Sequence, residues 1–150
     1  EIGVRLVGSE MCIRDRIKEA CLLHHEKCDG TGYPFGLKSD HIPAVAKIIA
    51  IADVYDAMTS ARVYRGALCP FEVIDTMYKD AFTKFEPEYI LPFLKNVASS
   101  YINNDVRLSD GRIGKVVLIN ENALSLPIVQ CEDEFIDLSK TRELTVSAIL

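Results

Sequence analysis

His24-His25-Glu26-Lys27-Cys28-Asp29-Gly30-Thr31-Gly32-Tyr33-Pro34 is the stretch on which the reading of this chain turns. Two neighbouring histidines lead into a loop marked by two glycines and a proline. Ahead of them, Ile17 to Lys27 sets Ile17, Ala20, Cys21, Leu22 and Leu23 among Lys18, Glu19 and Glu26. That period predicts an amphipathic helix with His24 and His25 in its last turn. Successive helical side chains diverge by about 100°, so adjacent histidines serve two ions of a cluster more readily than one shared ion. A lone histidine near a helix C-terminus is commonly just favourable against the helix dipole. Gly30 and Gly32 permit positive φ, while Pro34 fixes its own φ and pushes Tyr33 extended. On these residues alone the loop reads equally as a plain turn or as backbone brought close to a substrate.

Downstream, Ile42-Pro43 opens a second helix, with the proline near its first turn. Ala44 to Met58 is apolar on almost every face, and a helix apolar all round is expected to be buried. Asp53 and Asp56 interrupt it on one face, three residues apart. An unpaired buried carboxylate costs several kcal/mol, so Asp53 needs an ion or a cluster of donors. Two histidines and one interior carboxylate make a nitrogen–nitrogen–oxygen set suited to iron, manganese or zinc. Arg62 and Arg65 follow, and guanidinium forks bind phosphate oxygens bidentately.

Taken in order from His24 to Arg65, the residues read H-H-E-x-x-D-G-x-G-Y-P and then D-x-x-D-A-h-T-S-x-R-x-Y-R, with h apolar. This order resembles the HD-GYP family of metal-dependent cyclic diguanylate phosphodiesterases. The resemblance implies His24, His25 and Asp53 as metal ligands in a site of two or three divalent ions, iron or manganese before zinc. It implies Gly32, Tyr33 and Pro34 as the loop bordering the nucleotide, with Asp56, Arg62 and Arg65 as further substrate contacts. A salt bridge from Asp56 to Arg62 or Arg65 is the structural alternative for that aspartate. Cys28 matches no ligand position and His41 lies outside the motif, so neither is assigned a role. The implied reaction is hydrolysis of cyclic di-GMP to linear pGpG or GMP. Diguanylate cyclase domains are possible protein partners of such a module.

The His-Asp dyad that names the family has no counterpart between Ile17 and Leu23. Glu1 to Arg16, EIGVRLVGSEMCIRDR, contains LVGSEMCIRD, which resembles translated sequencing-adaptor read-through. Residues 1–16 are therefore read as non-native, with the native chain resuming near Ile17 as a truncated fragment. Three ligands from one side do not fix a bridging hydroxide, so the fragment is expected to be inactive while the intact gene encodes the enzyme. The alternative is a catalytically degenerate module in bacterial signalling that senses cyclic dinucleotide or contacts other proteins.

The 150 residues are 49% hydrophobic and 26% charged, the balance of one ordinary soluble domain. A net charge of −5 argues against nucleic-acid binding. Five cysteines without a C-x-x-C pair read as reduced thiols, and with no long apolar run the expected location is the cytoplasm. Pro70 to Phe82 and Glu86 to Ile102 follow helical periods and predict core-closing helices, with a kink at Pro92. From Asn103 the period shortens. Val106 to Ser109, Asp110-Gly111 and Ile113 to Ile119 form a hairpin signal. Pro127 to Cys131 and Glu134 to Leu138 read as further strands, and Leu144 to Leu150 as an apolar stretch of open type. The expected fold is mainly α, a truncated HD-domain helical bundle over 17–103, with a small C-terminal antiparallel β subdomain over 104–150.

Overall fold

A computed structural model describes residues 3–61, 66–141 and 143–150, with side chains described from Ile13 onward. Helix α1 spans Gly3–Leu23, α2 Ala44–Thr59, α3 Pro70–Asp80 and α4 Pro87–Ser100. A single 3-10 turn, Ser39–His41, precedes α2. Five strands follow: β1 Asp105–Leu108, β2 Ile113–Asn120, β3 Ala123–Cys131, β4 Glu134–Asp137 and β5 Val146–Ile149. They form one antiparallel sheet in the order β4-β3-β2-β1-β5. Among the described residues no helix is long and apolar enough to cross a membrane.

Among the described residues a five-stranded antiparallel sheet accompanies the four helices, so "mainly α" is too narrow. The main core is shared by both halves. On α3 the buried residues are Phe71, Val73, Ile74 and Met77; on α4 they are Ile90, Leu94 and Ala98, spaced four apart to make one stripe. These pack against Val106, Leu108, Val116 and Val129 of the sheet, and Ile51 of α2 joins the same cluster. A smaller cluster of Leu23, Ile42 and Ala46 ties the end of α1 to α2.

Three corrections to the sequence reading concern elements. First, α1 runs across residue 17 without a break and ends at Leu23, so His24 and His25 lie in the turn beyond it rather than in its last helical turn. Second, α2 is not buried all round. Ala46, Ala50 and Ile51 are buried, but Val45, Ile48 and Ile49 are 42%, 50% and 41% exposed. Its partners α1, α3 and α4 cover only part of its circumference. Third, α3 ends before Phe82, and that ring and Tyr78 face solvent instead of closing the core.

The hairpin is present, with Gly111 at φ +91° in its turn, where a residue with a Cβ is strained. Strand β3 begins four residues earlier than the predicted Pro127, at Ala123. Its pairing with β2 shifts register around Leu118 and Ile128, next to Pro127, where the ladder does not require an N–H. The same shift moves burial from alternate residues Gly114 and Val116 to Ile119, leaving Leu118 exposed.

Candidate metal centre

The first two donors stand where α1 stops. The backbone N–H of His24 still donates to the Ala20 carbonyl at 3.1 Å, fixing the residue to the last helical turn. Its ring Nδ1 lies 2.9 Å from the Cys21 carbonyl oxygen and 3.2 Å from that of Ala20. A carbonyl only accepts, so these contacts call for the hydrogen on Nδ1, the tautomer that would leave Nε2 to an ion. His25 follows with its ring centroid 4.0 Å from that of His24.

The third donor comes from α2. Ile51, 2% exposed, and Tyr55 hold this helix against the core. The Tyr55 hydroxyl lies 3.1 Å from that of Tyr101, and its ring meets Phe93 edge-on at 5.5 Å. Burial and the hydroxyl of Tyr101 push the Tyr55 pKa well above the ordinary value. With Ile51 and Tyr55 inward, the helical period turns Asp53 outward, toward the histidines. One ligand atom from each of His24, His25 and Asp53 lies within 4.8 Å of the others.

Two details differ from expectation. Asp53 is exposed, not buried, so desolvation does not force an ion upon it. Its carboxylate has no hydrogen bond or ion pair among the described residues, and its place in the cluster rests on convergence. Nor do the histidines diverge as side chains inside a helix do. Lying beyond the helix end, they turn their donors toward one place, compatible with a shared ion.

The loop is built around a residue the sequence reading passed over. Glu26 is the one buried charged side chain among the described residues, 4% exposed. Its Oε1 accepts the Phe35 N–H at 2.6 Å and its Oε2 accepts the Leu37 N–H at 2.9 Å. Gly32 matters for closeness, since only Gly30 and Gly36 among the loop glycines have positive φ. A Cβ on Gly32 would lie 2.4 Å from the Lys27 nitrogen and 2.5 Å from the Glu26 Cα. The Tyr33 N–H donates to the His25 carbonyl at 3.2 Å, and the Tyr33 ring stacks on His25 at 4.7 Å and 25°. Tyr33 and Phe35 are 61% and 62% exposed, and Pro34 follows a cis peptide bond.

Asp29 closes the turn, accepting from the Thr31 N–H and hydroxyl; these bonds hold its carboxyl below the usual range. Cys28 stands outside the cluster, and burial pushes its thiol up. His41 pairs with Asp40 at the surface. Asp56 is not part of the cluster either: it accepts from the Ser60 hydroxyl at the C-terminal end of α2. Arg62 and Arg65 lie outside the described residues, and with them the proposed phosphate clamps and the alternative bridge to Asp56. Behind the loop, Lys47 of α2 reaches the Ser39 hydroxyl at 2.8 Å and the Glu86 carboxylate at 2.9 Å, and Ser39 also donates to Glu86.

Comparison with known proteins identifies the family. The HD domain family matches residues 5–89, a span that takes in most of residues 1–16 as well as the histidines and Asp53. A protein of Pseudomonas aeruginosa named as a cyclic di-GMP phosphodiesterase is 39% identical over 128 residues, covering 85% of this chain and 31% of that protein. A cyclic di-GMP phosphodiesterase of Thermotoga maritima is 40% identical over 95 residues, covering 63% of this chain and 26% of its own length. A 3'3'-cGAMP-specific phosphodiesterase of Vibrio cholerae is 42% identical over 65 residues, covering 43% of this chain and 14% of the relative. The chain thus spans less than a third of the length of these relatives.

Proposed function

Because the chain belongs to the HD domain family, and within it to the HD-GYP type, we propose that it carries one side of a metal-dependent cyclic di-GMP phosphodiesterase site. The observation that supports this most is the convergence of His24, His25 and Asp53 from two separate elements. Imidazole and carboxylate together suit iron or manganese first and zinc second, in a cluster of two or three ions. Ions held by His24, His25 and Asp53 would lower the pKa of a water and withdraw charge from a phosphate oxygen.

The chain's own groups do the positioning. His24 presents Nε2 because Cys21 and Ala20 engage its other nitrogen. His25 is backed by the Tyr33 ring, and Asp53 faces both from α2. Gly32, Tyr33 and Pro34 form the wall on which a nucleotide base rests, with exposed Tyr33 as the stacking surface. By their positions in the family's motif, Asp56, Arg62 and Arg65 are assigned as further substrate contacts.

Among the described residues this cluster offers three ligands, which is too few to hold a second ion. The remaining ligands are supplied by the part of the family's domain that carries its His-Asp dyad, so these 150 residues alone do not turn over substrate. Titration of the chain with Mn²⁺, followed by electron paramagnetic resonance, tests the ligand set. Weak binding is expected, and Asp53→Ala should reduce it by roughly tenfold or more; unchanged affinity would refute the assignment. A parallel assay with cyclic di-GMP and 3'3'-cGAMP should give no product above the metal-free background. Turnover by the chain alone would overturn the half-site reading. The degenerate-module alternative is favoured if a longer form carrying the upstream residues binds cyclic di-GMP, or a diguanylate cyclase, without hydrolysing the dinucleotide.

A further inference from the structure

Glu26 sits directly after the two histidines, yet its carboxylate is not part of the group they form with Asp53. It is 4% exposed, so its charge requires donors, and the structure provides them as two backbone N–H groups from the far side of the loop. The consequence is mechanical. Phe35 and Leu37 are fastened to Oε1 and Oε2, and both loop strands are drawn onto Glu26. The near strand comes so close that Gly32 has no space for a side chain against the Glu26 and Lys27 backbone. Between these two fixings lies Tyr33, whose N–H is taken by the His25 carbonyl and whose ring covers the His25 ring.

We infer that Glu26 is a positioning residue: its carboxylate holds the loop so that Tyr33 is stacked on His25, making the aromatic wall and the metal ligand one rigid unit. A hydrogen bond to a charged acceptor contributes about twice what a neutral one does. A carboxylate accepts at both oxygens, whereas an amide side chain accepts at one, so glutamine cannot hold both N–H groups. The role of this unit in catalysis rests on the reading of His25 as a ligand, but its existence does not.

The test therefore uses the metal-free chain. Nuclear magnetic resonance reads the Phe35 and Leu37 amide exchange rates and the ring-proton shifts of His25, which lie in the shielding field of Tyr33. In Glu26→Gln, exchange at one or both amides should rise by roughly tenfold or more, the factor corresponding to about 1.4 kcal/mol. The His25 ring protons should move toward their unshielded positions. Tyr33→Leu should abolish the shielding while leaving both amides protected, which separates the clamp from the stack. Variants are compared with Val116 and Val129 amides as an internal measure of folding, since these lie in the buried sheet. Should Glu26→Gln lose the fold, Gly32→Ala displaces the same loop without altering the carboxylate, and should remove the His25 shielding by itself. Unchanged His25 shifts in a folded Glu26→Gln or Gly32→Ala protein would overturn the inference.

Discussion

At the scale of single residues, the three side chains that converge were readable as candidates and their surroundings were not. His24, His25 and Asp53 stand out because their chemistry contrasts with apolar neighbours. Glu26 does not, because its partners are backbone N–H groups nine and eleven positions away, which any sequence supplies. Gly32 was legible as a special position, but for the wrong reason: the constraint is a close approach of backbone, not positive φ. A second contact of this kind is Lys47 with Glu86 and Ser39. Lys47 is 13% exposed and Glu86 30%, so the pair is worth more than a surface bridge. Lys47→Met should cost about 1–2 kcal/mol at neutral pH, measured by urea unfolding. The hydrogen bonds from Ser39 and then Lys47 hold the Glu86 carboxyl below its ordinary 4.5. A depressed acid stabilises the fold above its unfolded pKa, and that stabilisation fades as pH falls through the folded value. The gap between wild type and Lys47→Met should accordingly close in acid; a gap constant from neutral pH to below that value would show that the charge of Glu86 plays no part.

At the scale of elements, hydrophobic period located α3 and α4 almost to their ends, because each shows the core a single stripe. It misjudged α2, where apolar residues on every face implied burial on every face. Burial depends on what the neighbouring elements cover, and a sequence window does not contain its neighbours. Ile48 and Ile51 make the distinction measurable, being 50% and 2% exposed three residues apart. Ile51→Ala should destabilise by about 2–5 kcal/mol, the range for deleting a packed side chain. Ile48→Gln should change stability by no more than about 0.5 kcal/mol, as for surface positions. Urea midpoints for the two proteins decide it. Equal losses would mean that the outer face of α2 is covered in solution. The sheet was partly legible for a related reason. Asp110-Gly111 announces its hairpin, whereas Pro127 masks the continuity of β3, since a proline ordinarily argues against an interior strand.

At the scale of the whole molecule, the buried clusters divide the chain differently from its sequence. The change of period after Ile102 suggested helices with a small antiparallel sheet appended to them. The larger core joins Ile74 and Leu94 of the helices to Val116 and Val129 of the sheet, and each is fully buried. Groups that share one close-packed interior lose their contacts together, so α3, α4 and the sheet should open as one cooperative unit. The turn bearing His24 and His25 depends on a much smaller cluster, Leu23, Ile42 and Ala46. Fewer buried contacts mean a lower opening free energy. Native-state hydrogen exchange should therefore show one opening energy for Ile74, Leu94, Val116 and Val129, and a lower one for His24 and Lys47, whose N–H groups donate to Ala20 and Pro43. Leu94→Ala should reduce the first group in common by about 2–5 kcal/mol. A loss confined to the helical amides would mean that the sheet is a folding unit of its own. The lower stability of the end that carries this cluster has a consequence for the proposed binding. A ligand that binds only the folded end adds RT ln(1 + [L]/Kd) there, about 2.7 kcal/mol at a hundredfold excess over Kd. Saturating Mn²⁺ should thus slow exchange at His24 and Lys47 while leaving Val116 and Val129 unaffected.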